Sequence, residues 1–344
     1  MLQQASTQVQ ADLCVYGLTP SGIAAAVRAA RQGLRVVLCG RDRRLGGMMA
    51  HGLMQWDCLS PATRCPMFSE IINAAVRRYA DECGEHSDQA DKAGLKPGRY
   101  PVAMVEPRVA EAIFDAMVSA EPGIDLRRRH EILRVDRRYC RIHGVLLRDL
   151  ASAEAVSVEA KSFIDASYEA DLAAAAGAAY RVGRESHEEH GEPHAGRIYT
   201  AIASGPAPEP DLARSRGLIP YGAQMGGVDP QSPRTGDRCI QGYNMRMIVT
   251  KDPDRGVPLT APPAGYRPET YIPYKRKQLA AHNGTPSYVI NQKATFNAAL
   301  MPGHNWDYPD GDWATREKIY RRHLDFALGL MWFLQNDPEI PDDH

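Results

Sequence analysis

One stretch near the start of the chain limits its possible folds more than any other. Asp12–Tyr16 is a short apolar strand, Gly17 to Gly22 is a turn, and Pro20 to Gln32 is an Ala-rich helix. Ile23, Ala26, Val27 and Ala30 share one face of that helix. Pro20 suits an early helical position, where a missing N–H loses no bond. Gly33 ends the helix, and Arg35–Cys39 reads as a second buried strand. Strand, turn, helix and strand in such close succession make a βαβ unit, which implies a parallel sheet. The turn Gly17-Leu-Thr-Pro-Ser-Gly22 has the frame G-x-T-x-x-G, close to the G-x-G-x-x-G of dinucleotide-binding turns. Gly17 supplies the tight turn, and Gly22 lets the helix pack close to the sheet. Thr19 stands where glycine usually lets backbone approach a pyrophosphate. Its Cβ crowds that approach, while its hydroxyl is expected to bond a phosphate oxygen. The helix N-terminus behind the turn favours negative charge. A preceding strand and a following helix and strand set this turn apart from a lone glycine pattern.

The usual acid at the end of the second strand, which holds the adenosine ribose, is missing. Gly40, Arg41 and Asp42 stand there instead. Asp42 is one substitute. Arg41 alternatively suits the extra phosphate of an NADP-type ligand.

Further along, Pro66 to about Ala80 is a helix with Phe68, Ile71, Ile72, Ala75, Val76 and Tyr79 on one stripe. Pro107 to Ser119 is another, with Val109, Ala112, Ile113, Ala116 and Met117 inward. From Ile124 to Asp165 the period changes to short alternating runs: Ile132–Val135, Val145–Leu147, Ala155–Val158 and Phe163–Asp165. These predict a β-meander that returns to the core sheet. Residues 185–314 are rich in Pro, Gly, His and Tyr and lack long periodic segments, so they predict a loop-rich second domain after a first domain over 11–184. A last helix, about Thr315 to Gln335, opens a C-terminal segment over 315–344. The expected fold class is α/β: a Rossmann-like parallel sheet with a β-meander, plus the loop-rich domain.

Bulk properties exclude several classes. A formal net charge of −1 gives no field to recruit nucleic acid or an anionic membrane. Arg127, Arg128 and Arg129 form too small a basic run for a nucleic-acid face and read as a solvated strand entry. No segment has the roughly 20 apolar residues of a membrane helix. Met1 to Gln10 is polar and reads as no signal peptide. The seven cysteines are scattered, with Cys14 and Cys39 inside apolar strands, so reduced thiols and a cytoplasmic location are expected. Cys58 and Cys65 match no zinc spacing, and no metal is expected.

At Leu45-Gly-Gly-Met48 the pattern becomes familiar. The segments Tyr16–Ile23 and Leu45–Leu53 resemble the FAD-dependent oxidoreductase family, of glutathione-reductase-like FAD fold, some of whose members are labelled xanthan lyase. Many members carry Thr at the middle turn position. Phe163–Gly177, Gln241–Arg246, Asn305–Pro309 and Gly329–Leu334 also look familial, so the resemblance spans about residues 11 to 340. It implies FAD with its pyrophosphate at Gly17, Thr19, Pro20, Ser21 and Gly22, and its adenosine side near Gly40, Arg41 and Asp42. Gly46, Gly47 and Met48 would lie by the phosphate and ribityl region, and the strand ending in Asp165 would back the cofactor. The fold normally closes with a further strand and helix, and this chain is expected to lack them.

A flavin carries redox chemistry itself, so the protein needs to supply only orientation and an acid or base. His51, four positions beyond Gly47, is placed as a proton donor or a flavin attachment point, or else as a loop histidine near phosphate. Arg246 is a candidate clamp for an anionic or hydroxyl-rich substrate, with a structural ion pair as the alternative. Asp57, Cys58, Tyr243, Asn244 and Asn291 are weaker candidates. His187, His190 and His194 lie in a polar segment and read as a solvated loop. Asp165, Glu169 and Asp171 read by default as helix-capping acids. The expected function is FAD-dependent hydride acceptance from a small polar, sugar-derived substrate. The alternatives are an inactive or truncated nucleotide-binding remnant and an NAD(P)-dependent dehydrogenase. The Gly46-Gly47 doublet and the meander argue against the last.

Overall fold

The computed structural model describes residues 7–57, 64–94, 102–199, 219–221, 225–272, 290–297, 299, 301–338 and 340. Cys58 lies outside them. In chain order the elements are β1 (Thr7–Tyr16), α1 (Pro20–Ala30), β2 (Val36–Gly40), α2 (Gly47–Ala50), β3 (Gln55–Trp56), α3 (Pro66–Cys83), α4 (Asp88–Ala93), β4 (Ala103–Met104), α5 (Pro107–Ser119), β5 (Ile124–Arg128), β6 (His130–Arg138), β7 (Arg141–Asp149), β8 (Ala155–Asp165) and α6 (Asp171–Ala175). Then follow α7 (His187–His190), β9 (Ile219–Tyr221), β10 (Met225–Val228), β11 (Met247–Thr250), β12 (Lys293–Phe296) and α8 (Trp313–Asn336).

The main sheet has the order β5-β2-β1-β8-β7-β6. β5, β2, β1 and β8 run parallel, while β6, β7 and β8 form an antiparallel meander. This is the α/β architecture with a meander that the sequence implied. Alternation along the strands explains why both faces are buried. Leu13, Val15, Val36 and Leu38 point into a core shared with α1, α3 and α5. Cys14, Tyr16, Val37 and Cys39 point to the other face, where Leu172 of α6 packs. Each fully buried Val or Leu contributes about 1.5–3 kcal/mol relative to exposure. The Cys14 and Cys39 sulfurs are 4.0 Å apart as free thiols.

Two expectations change. β1 begins at Thr7, not Asp12, because its polar first half pairs with β8 from Thr7↔Val156 onward, whereas β2 joins it only at Leu13. The runs Ala155–Val158 and Phe163–Asp165 are one 11-residue strand. Glu159 to Ser162 breaks the apolar pattern but keeps the ladder to β1 through Gln10↔Glu159, Ala11↔Ala160 and Leu13↔Ser162. The three arginines at the end of β5 are occupied at its edge: Arg127 pairs with Asp125, Arg128 with Asp115, and Arg129 donates to Leu150 O.

The chain forms two compact units. One comprises residues 1–179, 245–299 and 325–344, and the other comprises 180–244 and 300–324. The loop-rich stretch 185–314 is therefore divided between them. Within the first unit, the antiparallel pair β11–β12, Tyr271 and the end of α8 build a further core around Phe296, Ala327, Leu330 and Phe333. The second unit is mostly turns. Arg184 and Asp237 hold it through paired backbone and side-chain bonds, and Asn305 Nδ2 donates to Gln241 O at 2.8 Å. Among the described residues, no helix is long and apolar enough to cross a membrane.

Candidate functional site

From β1 the chain crosses through α1 to β2 on one side, while β8 lies on the other. The crevice at the carboxyl ends of β1 and β8 is thus a topological switch point, where open α/β sheets bind ligands. The turns that leave both strands are tied together there. Ala166 N donates to Tyr16 O at 2.7 Å. Gly17 has φ +125°, and a Cβ on it would lie 2.3 Å from the Ala166 carbonyl. Thr19 is buried at the N-cap of α1, and its hydroxyl donates to Ala166 O at 2.7 Å and accepts from Gly22 N at 3.3 Å. The same oxygen is 2.9 Å from Ser21 Oγ. The Thr19 hydroxyl therefore pins the two turns together, and its proton is directed at Ala166 O instead of a phosphate.

The Gly46-Gly47 doublet joins the same place. Gly46 N donates to Leu18 O at 2.9 Å. Gly47 has φ +46°, and a Cβ on it would lie 2.2 Å from Tyr168 Oη and 3.3 Å from Pro20 Cδ. Met48 N donates to Tyr168 Oη at 2.9 Å. The β8–α6 connection that carries Tyr168 is organised by Asp165, whose carboxylate accepts from Ser167 N, Ser167 Oγ and Ala173 N at 2.7–2.9 Å. Asp165 is thus a turn and helix cap directly behind the site.

Beyond β2, Arg41 pairs with the buried Glu131, which Arg148 also holds. Asp42 reaches the surface, yet enough protein surrounds it that desolvation raises its carboxyl above the ordinary value. His51 and then Arg41 oppose that rise, and Asp171 adds to it. Arg43, Arg44 and His51 line an open cleft of about 520 Å³. Arg44 also approaches Glu111 at 3.5 Å. His51 is exposed, and a Cβ on the adjoining Gly52 would lie 3.0 Å from Arg246 O. The two residues nominated for chemistry, His51 and Arg246, therefore come from neighbouring turns of one unit.

Other candidates fall elsewhere. Asn291 donates to the buried Glu106, which Lys293 also holds. Tyr243 packs edge-on against Tyr308 in the second unit. His187 bonds the Glu192 carbonyl at 2.7 Å, and His190 lies 3.6 Å from Glu185. Sequence reasoning missed Tyr168 and Gly52. A large aromatic in the polar turn Ser167–Glu169, just past a strand end, was the available signal for the first; the second had none.

Fold and turn define a dinucleotide-binding α/β protein of flavoprotein type. The chain belongs to the FAD dependent oxidoreductase family, whose pattern matches residues 12–343. FAD is the cofactor of that family. No curated protein matches the chain. Among solved structures, a geranylgeranyl bacteriochlorophyll reductase-like protein from Thermoplasma acidophilum is 17% identical, with a TM-score of 0.35 over 64% of this chain and 56% of that one. A myxobacterial FAD-dependent chondrochloren halogenase is 20% identical, with a TM-score of 0.32 over 46% and 37%. Thermovibrio ammonificans THI4 is 14% identical, with a TM-score of 0.33 over 63% and 75%. Likeness at this level carries no functional argument. The chain spans little more than a third of the halogenase's length.

The residues present fit a dinucleotide. Side chains at positions 17, 22, 46 and 47 would all collide with neighbouring protein atoms, so glycine lets the three segments pack closely together beside Pro20, the first residue of α1.

Proposed function

We propose that the chain binds FAD across the β1–β8 crevice and serves to oxidise a small polar molecule of the sugar-derived kind. The observation that carries this reading is the meeting of three chain segments at one switch point, where Gly17, Gly22, Gly46 and Gly47 leave no room for a Cβ. Bare backbone beside a helix N-terminus suits a polyphosphate. In this reading the turn Gly17–Gly22, with Pro20 and Ser21 at the start of α1, receives the pyrophosphate, and Thr19 holds the turn in place through Ala166. Asp42, beside Arg41, borders the adenosine side. Gly46, Gly47 and Met48 border the phosphate–ribityl part, and Asp165 fixes the turn behind it.

Bound FAD supplies hydride acceptance from a C–H bond. The chain's own residues supply the rest. Arg246 offers a planar fork of donors to an anionic or hydroxyl-rich substrate. His51, exposed at the cleft, is placed to give a proton to the reacting centre or take one from it. The test is a visible absorption spectrum of purified protein after FAD addition and desalting. A retained flavin spectrum near one equivalent supports the reading, and a colourless protein refutes it.

A further inference from the structure

We propose that Tyr168 is a cofactor-binding residue whose hydroxyl proton is donated to the FAD diphosphate. This rests on the reading above, which puts that diphosphate at the Gly17–Gly22 turn.

The position of Tyr168 is built from both sides. Two residues before it, Ala166 is held through its N–H to Tyr16 O and through its carbonyl by the Thr19 hydroxyl. Asp165 locks Ser167 and the first turn of α6. The ring is thereby carried to Gly47, where only a missing Cβ makes room for the hydroxyl. There Oη accepts the Met48 N–H at 2.9 Å. A phenol that accepts one bond still has its own proton to give. Among the described residues no acceptor for that proton is found. The side chain stays 54% exposed although it is large and aromatic, so packing does not account for its place. It stands beside Pro20, at the positive end of α1, where an anion is favoured. Desolvation, with Asp42 and Glu169 adding to it, pushes the phenol above its ordinary value, so it remains a donor at physiological pH.

The competing arrangement makes Tyr168 a plug that covers the Met48 amide and must leave when FAD arrives. The Y168F substitution separates the two, because it keeps the ring and removes the donor. FAD affinity is measured by flavin fluorescence, and ADP and adenosine are measured by competition on the same protein. The expected result is that Y168F binds FAD and ADP each at least about tenfold more weakly, with adenosine within about twofold. Tenfold corresponds to about 1.4 kcal/mol, near the lower end for a hydrogen bond to a charged group. Unchanged or tighter FAD binding overturns the proposal in favour of the plug. Weaker FAD with unchanged ADP places the hydroxyl away from the diphosphate and also overturns it. So does a parallel loss for adenosine, which marks a general structural role. Wild-type protein that binds no FAD overturns the underlying reading as well, whereas wild-type binding matched by Y168F overturns this inference alone.

Discussion

Replacing Lys293 with methionine tests how the first unit holds its strand pair β11–β12. Glu106, the N-cap of α5, is 1% exposed. Its carboxylate is paired with Lys293, accepts from Asn291 Nδ2 at 2.7 Å, and lies 3.3 Å from Tyr79 Oη. Removing one partner of a buried pair costs about 3–5 kcal/mol, because the other charge is left without compensation. Arg108 lies 3.5 Å away with its side chain 65% exposed, so it returns only the worth of a surface pair, up to about 1 kcal/mol. The net loss is then about 2–5 kcal/mol, or about 4–20 °C in Tm for a unit of this size. Denaturant and thermal unfolding at pH 7 measure it. The double variant Glu106→Gln/Lys293→Met removes both charges and recovers most of the loss, as coupled sites do. A single variant within about 0.5 kcal/mol of wild type, or a double variant no better than the single, refutes the reasoning.

The acid behaviour of the same pair follows from its pKa. Burial alone raises the Glu106 carboxyl, but Lys293 and then Asn291 outweigh it, so it sits below its ordinary 4.5. A depressed acid stabilises the fold fully above its unfolded pKa and loses that contribution as pH falls through the folded value. In Lys293→Met, only Asn291 and Arg108 still oppose burial, so the folded pKa is expected to rise relative to wild type. The variant's deficit is then largest near neutrality and shrinks as the carboxyl protonates. The two stability curves are expected to converge as pH falls toward 4.

Two further substitutions probe the turn. Thr19→Val removes both the helix cap and the bond to Ala166 O, and is expected to cost about 1–2 kcal/mol, while Thr19→Ser stays within about 0.5 kcal/mol; urea midpoints decide it. Gly47→Ala forces an alanine to φ +46° with its Cβ against Tyr168 Oη. It is expected to lower stability by about 1–2 kcal/mol and to weaken FAD binding at least tenfold, read by flavin retention after desalting.

The parts of the fold legible in the sequence were those with local causes. The βαβ unit, α3 and α5 carry their periodicity and their prolines within a few residues, and the α5 bounds of Pro107 and Ser119 match the expectation. The pairs β3–β4 and β11–β12 were not legible, because strands of two and four residues leave no period to read. The short helix α4 has only six residues and rests on a Ser87 cap. The site divided in the same way. The glycines of the turn and the doublet announce themselves in sequence. The second half of the site does not, because Thr19 reaches Ala166 and Met48 reaches Tyr168 across well over a hundred residues. The roles of Arg41 and Asp165 depended on Glu131, Ser167 and Ala173, partners that no spacing rule supplies.

The central claim is that the Gly17–Gly22 turn, the Gly46-Gly47 doublet and the β8 turn form one FAD site. Calorimetric titration of the purified chain with FAD and, separately, with NADPH tests it most directly. The account predicts one FAD bound per chain and no comparable binding of NADPH. Tight NADPH binding without flavin, or no binding of either, would contradict it.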